Sequence, residues 1–118
     1  MNNYKKEYKT DMDKFNDLKT VKYPGGSFYN STFMCSYEDL VEILGKPGKA
    51  SSDNKCQYTW SRSFEYDHET IKFEVYDWKE YNIDLKVQPL VRWHIGGKNR
   101  RQTETVRSII NNILCRTY

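Results

Sequence analysis

With 118 residues and a net charge of +3 (19 Lys and Arg against 16 Asp and Glu), the chain has the length of one domain. Apolar residues make up 37% of it and run uninterrupted for only two or three positions, which excludes a membrane-spanning helix of about 20 apolar residues. Met1 to Lys9 hold no apolar stretch of the kind a secretory leader needs, so the expected location is intracellular.

Ten Tyr, five Phe and three Trp supply large apolar area per residue, so aromatics rather than aliphatics are expected to build the core. Residues 1–35 read as an N-terminal arm. Met12, Phe15 and Leu18 recur at three-residue steps that permit a short helix, and Tyr23-Pro24-Gly25-Gly26 then breaks any regular element. A single domain is expected over 36–118. Ser36 is placed to cap a helix over 37–44, with Asp39 at its third position, the stripe Leu40, Val41, Ile43, Leu44, and a stop at Gly45 and Pro47. From Cys56 to Tyr66 the even positions are mostly large and apolar and the odd ones polar, and Ile71, Phe73 and Val75 alternate in the same way after Asp67-His68-Glu69. These two segments predict an antiparallel hairpin, with His68 in its turn. Ile83 to Val87 is a candidate short strand, and Leu90 to Ile95 a further strand whose Val91, Trp93 and Ile95 share one face. Asn99 with Gln102 three residues on predicts a cap for a closing helix over 100–115, with Val106, Ile109, Ile110, Ile113 and Leu114 as its apolar stripe. The expected fold is α+β: a three- to four-stranded, mainly antiparallel sheet with two helices on one face, in the order α-β-β-β-α. Trp60, Phe73, Trp93, Ile109 and Ile113 are its expected core.

Two constellations carry chemistry. Gly96, Gly97, Lys98, Arg100 and Arg101 stand where a strand enters a helix, and glycines, unpaired amides and cations together suit a phosphate or carboxylate. The P-loop and G-x-G-x-x-G spacings are absent, and the plainer reading is a tight turn with a solvated basic surface. Cations at a helix N-terminus oppose its dipole, and such local conflicts concentrate at functional sites. The second constellation is the sheet face opposite the core, where Lys72, Glu74, Tyr76, Trp78, Arg92 and His94 are expected to point outward. Tyr76, Trp78 and His94 suit base stacking or a partner protein, with Arg92 and Lys72 on phosphate or acid; the plainer reading is a second small core under the arm or the 79–89 connection. No RNP1 pattern is present. His94 with Asp77 and Tyr76 is a weak acid/base candidate, since catalysis also requires hydrogen-bond reach. Cys35, Cys56 and Cys115 fit neither a metal site nor a closed disulfide set and are expected as buried or half-buried thiols, so neither metal nor cofactor is expected.

Tyr58-Thr59-Trp60, Tyr76-Asp77-Trp78-Lys79 and Trp93-His94-Ile95-Gly96-Gly97, in that order ahead of an amphipathic helix, resemble small, mostly uncharacterised proteins encoded by phages and large DNA viruses. The resemblance spans about residues 36–115. It implies a viral accessory protein, acting in the host cytoplasm, and transfers no catalytic residues. Two functional expectations follow. The first is a non-enzymatic binding protein that recognises a host protein or other host macromolecule, or a phosphate-bearing ligand such as a nucleotide or nucleic acid, through the glycine turn and the outward face. The second is a small enzyme on a nucleotide or phosphorylated substrate, with His94 as acid/base.

Overall fold

Alternation of large apolar and polar residues drives the centre of the molecule into a hairpin. In the computed structural model, which describes residues 15, 18–22, 27–48, 56–80 and 83–117, strands β3 (Thr59–Tyr66) and β4 (Glu69–Tyr76) pair antiparallel with Trp60 opposite Val75 and Phe64 opposite Ile71. Asp67 and His68 make the connection, both left-handed at φ 50° and 65°, the backbone a two-residue hairpin turn demands. Strand β5 (Val91–Gly97) lies against β4, and β2 (Ser27–Cys35) pairs with the far side of β5, while the two-residue β1 (Lys19–Thr20) edges β3. Every pairing is antiparallel, and the spatial order is β1-β3-β4-β5-β2.

The α+β class thus stands, but the sheet has five strands, not three or four, and the chain order is β-β-α-β-β-β-α rather than α-β-β-β-α. Both additional strands come from the stretch read as an arm. Ser31, Phe33 and Cys35 face the core and Thr32 and Met34 face away, a period-two pattern interrupted upstream by Tyr29 and Asn30, whose left-handed φ of 47° and 61° makes a bulge between the Ser27–Gly97 and Ser31–Ile95 pairs. The possible strand over 83–87 is instead a 3₁₀ turn, Leu85–Val87, capped by Asp84 and anchored by buried Leu85. The short helix suggested by Met12, Phe15 and Leu18 lies largely outside the described residues; Phe15 itself is buried, its ring 5.1 Å from that of Phe64 and 6.0 Å from that of Phe73.

Helices α1 (Tyr37–Leu44) and α2 (Arg100–Thr117) pack on one face of the sheet. Ser36 accepts from the Asp39 amide and Asn99 from the Gln102 amide, so both caps form where the spacing placed them. All five expected core residues are buried, and the indoles of Trp60 and Trp93 meet edge to face at 5.3 Å. Each indole N–H is satisfied, Trp60 donating to the Gly45 carbonyl (2.7 Å) and Trp93 to that of Cys35 (3.0 Å). Arg62 points into the same face because its guanidinium donates to the Leu44 and Lys46 carbonyls at the exit of α1, where a cation also complements the helix dipole. Among the described residues, no helix is long and apolar enough to cross a membrane.

Candidate functional site

The strand-to-helix junction is built differently from an anion cradle. Gly96 and Gly97 belong to β5, flanked by Glu74 and Phe73 of β4, with Ser27 of β2 opposite Gly97, and both glycines are buried. Their lack of a Cβ answers packing on opposite faces of the sheet. At Gly97 a Cβ would sit 2.9 Å from Thr103 Cγ2, so glycine lets α2 approach the strand; at Gly96 it would sit 3.1 Å from Glu74 Oε1. Arg101 is committed to a two-pronged pair with Glu69 (2.6 and 3.0 Å), and Gln102 donates to the same carboxylate, tying α2 to the hairpin. This pairing accounts for one of the cations that oppose the helix dipole. Lys98 and Arg100 are exposed and, among the described residues, make no ion pair. Tyr29 donates to the Lys98 carbonyl from the β2 bulge, and Ser31 joins Thr103 and Glu104 at 2.8 and 2.6 Å, so β2 and the first turns of α2 are stitched together.

The opposite face of the sheet brings more of the expected residues together. Antiparallel register sets Tyr76 beside His94 and Glu74 beside Gly96, with Lys72 one pleat beyond Glu74 and Arg92 one pleat beyond His94. The Tyr76 and His94 rings lie nearly parallel, at 22° and 5.7 Å, and Trp78 stands edge-on to Tyr76 at 6.4 Å. Phe28, a member that sequence reasoning missed, closes edge-on over His94 at 4.8 Å. Its only signal was a place in an unrecognised strand. Trp78 is 41% exposed and Met34, beside Arg92, 46% exposed; Lys72, Arg92 and Lys79 are exposed too, with the Lys79 ammonium over the Trp78 ring. The face is therefore aromatic at its centre and cationic around it.

Two carboxylates behave oppositely here. Asp77 is wholly buried and accepts from the Gln57 and Tyr58 amides at 2.8–2.9 Å, fixing the segment that enters β3. That explains its burial by structure. Its bonds leave the His94–Asp77–Tyr76 acid/base cluster unassembled, since the His94 imidazole makes ring contacts and no hydrogen bond among the described residues. Burial first, then the charge of Arg92, pulls His94 below its usual value, with Asp77 pulling the other way. Glu74 is only 7% exposed and, among the described residues, has no hydrogen-bond or ion-pair partner, while its carboxyl oxygens still touch solvent; burial of the residue pushes its pKa up to about 7.

Cys35 and Cys56 are buried and Cys115 is exposed, which corrects the expectation for Cys115 alone. Burial, reinforced by Asp39, pushes the Cys35 thiol up to about 12, far from a nucleophile. Among the described residues no His, Cys, Asp and Glu side chains gather as a metal site. On the helix side an open groove of about 350 Å³ runs between Tyr66 and the outer face of α2, lined by Arg101, Glu104, Ser108 and Asn112 among others. Compared with known proteins, no family model, no curated protein and no solved structure matches the chain.

Proposed function

We propose that the protein binds single-stranded nucleic acid on the sheet face away from the helices, Tyr76, His94 and Trp78 stacking bases while Lys72, Arg92 and Lys79 meet the backbone. The observation that carries this reading is the nearly parallel Tyr76–His94 pair at the sheet centre with cations to either side of it. A neutral imidazole suits stacking, and burial, reinforced by Arg92, disfavours the charged form of His94. On this reading the strand-to-helix junction positions the sheet, and the glycines are packing residues. The resemblance to phage and large-DNA-virus proteins extends the proposal to a viral accessory role on a host nucleic acid.

Titration with 12-nucleotide single strands at low salt, followed by tryptophan fluorescence, tests it. Trp60 and Trp93 are fully buried, so quenching reports on Trp78. Trp78→Ala, which lacks the reporting indole and is followed instead by fluorescence anisotropy of an end-labelled strand, and Tyr76→Ala should each weaken binding by roughly 5- to 100-fold, the range for loss of a base–aromatic stack. No binding of any strand at low salt, or affinity unmoved by both substitutions, would overturn the reading, and capture of a folded protein by the same face would replace it.

A further inference from the structure

A carboxyl group withdrawn from water ordinarily has a donor beside it, because an unpartnered buried polar group costs free energy. Glu74 has none among the described residues, and its oxygens still touch solvent. It rises from the middle strand of the sheet, leans into the space a side chain at position 96 would occupy, with Oε1 3.1 Å from that absent Cβ, and is 7% exposed. The groups on this face around it are Lys72 and Tyr76 of β4, Arg92 and His94 of β5, Ser61 of β3 and Phe28 of β2. The two cations lie one pleat beyond the central Glu74–Gly96 and Tyr76–His94 pairs, where a backbone would run, and the aromatic rings stand next to the carboxyl.

We infer that Glu74 reads a guanine base stacked on the Tyr76–His94 pair. This rests on the nucleic-acid reading above. A carboxylate offers two acceptor oxygens and no donor. Guanine alone of the four common bases presents two adjacent N–H donors, the ring N1–H and the exocyclic amine, on its pairing edge. Adenine and cytosine each set an amine beside a ring acceptor, and uracil sets its N–H between two carbonyls, so each turns an acceptor toward the carboxylate. Gly96 is the residue that makes room, since a methyl there would stand 3.1 Å from the carboxyl and push it aside by a few tenths of an ångström. The pH dependence follows from the same chemistry. With its pKa near 7, Glu74 is a carboxylate at pH 8 and an acid at pH 6, and the acid, one donor beside one acceptor, complements adenine or cytosine instead. His94, the other group here with an ordinary value near this range, is held below it, by burial first and then by Arg92.

Heptameric RNAs of uridine with G, A, C or U at the centre decide the matter, with affinities read from Trp78 quenching at pH 8 and pH 6. Wild-type protein should favour the G heptamer at pH 8 by roughly 5- to 150-fold, the span of a bidentate base contact, and lose that preference at pH 6. Glu74→Gln, which fixes one donor beside one acceptor, should lack the G preference at both pH values, and its thermal midpoint will show that it is folded. Gly96→Ala should diminish the preference as well. In His94→Phe the pH shift should persist, which separates Glu74 from the imidazole. Equal affinity for all four heptamers, or a G preference that survives Glu74→Gln, overturns the role of Glu74 and leaves the stacking platform standing. Failure of all four to bind overturns both.

Discussion

Glu74 and Asp77 stand three residues apart, and their surroundings decide opposite roles. Asp77 is buried and satisfied by two backbone amides, so it stabilises the entry to β3; Glu74 is largely buried with only solvent at its oxygens, so the partial loss of water makes its charge oppose folding. The consequence for stability has a definite sign. A carboxyl whose folded pKa is raised from 4.5 to about 7 binds more protons folded than unfolded between those values, so stability is greatest below the unfolded value and falls as pH rises toward 7. Glu74→Gln removes the charge without changing the shape. It should raise the thermal midpoint at pH 8, by an amount corresponding to roughly 2 to 3 kcal/mol or less, and the advantage should vanish near pH 4.5. Thermal melts of both proteins at pH 4.5, 6 and 8 measure this, and a pH-independent difference would show that the group is not titrating in place. For the proposed base-reading role of Glu74, a cost in stability while the face is empty is the expected compromise.

At the scale of elements, both helices were legible because a cap, an apolar stripe and a glycine or cationic exit all agree at Ser36–Gly45 and Asn99–Leu114. The hairpin was legible for the same reason: alternation on both sides of Asp67-His68 leaves one register that buries Trp60, Phe64, Ile71 and Phe73 together. Strand β2 escaped because its period slips at the Tyr29–Asn30 bulge, and β1 because two residues carry no periodicity at all. With β2 missed, Phe28 was missed too, and the glycines of β5 were read as a turn. Gly97 shows what they are for. Its absent Cβ is the contact distance between β5 and α2, and Gly97→Ala should cost roughly 1 to 3 kcal/mol because Thr103 Cγ2 would lie 2.9 Å away and Thr103 is fully buried. Thr103→Ser deletes that methyl and keeps the hydroxyl that bonds Ser31 and the Arg100 carbonyl. The double substitution should therefore recover most of the loss of Gly97→Ala in chemical denaturation, a coupling expected only of neighbours. Simply additive losses would mean that the strand–helix spacing is set elsewhere.

At the scale of the molecule, several cations among the described residues sort by partner. Arg62 is consumed by the exit of α1, Arg101 by Glu69, and Arg107 by Glu104 and the Thr32 carbonyl, all on the helix side or its rim. Lys72, Arg92 and Lys79 remain exposed on the aromatic face, and Lys98 and Arg100 at the head of α2. A net charge of +3 says only that cations are in slight excess; their placement says where an anionic chain would lie. Salt dependence tells the two placements apart. Single strands release roughly 0.7 counterion per phosphate neutralised, so three contacts on the sheet face give a slope of log affinity against log salt of about −2. Arg92→Gln should make that slope shallower by about 0.7 and leave base preference intact, because a phosphate contact carries no sequence information. Arg100→Gln and Arg101→Gln should leave the slope where it was. The measurement is a titration of one oligonucleotide at four salt concentrations with each variant. A slope that responds to Arg100 and not to Arg92 would move the nucleic acid from the sheet to the first turn of α2, and with it the meaning of every ring on the face away from the helices.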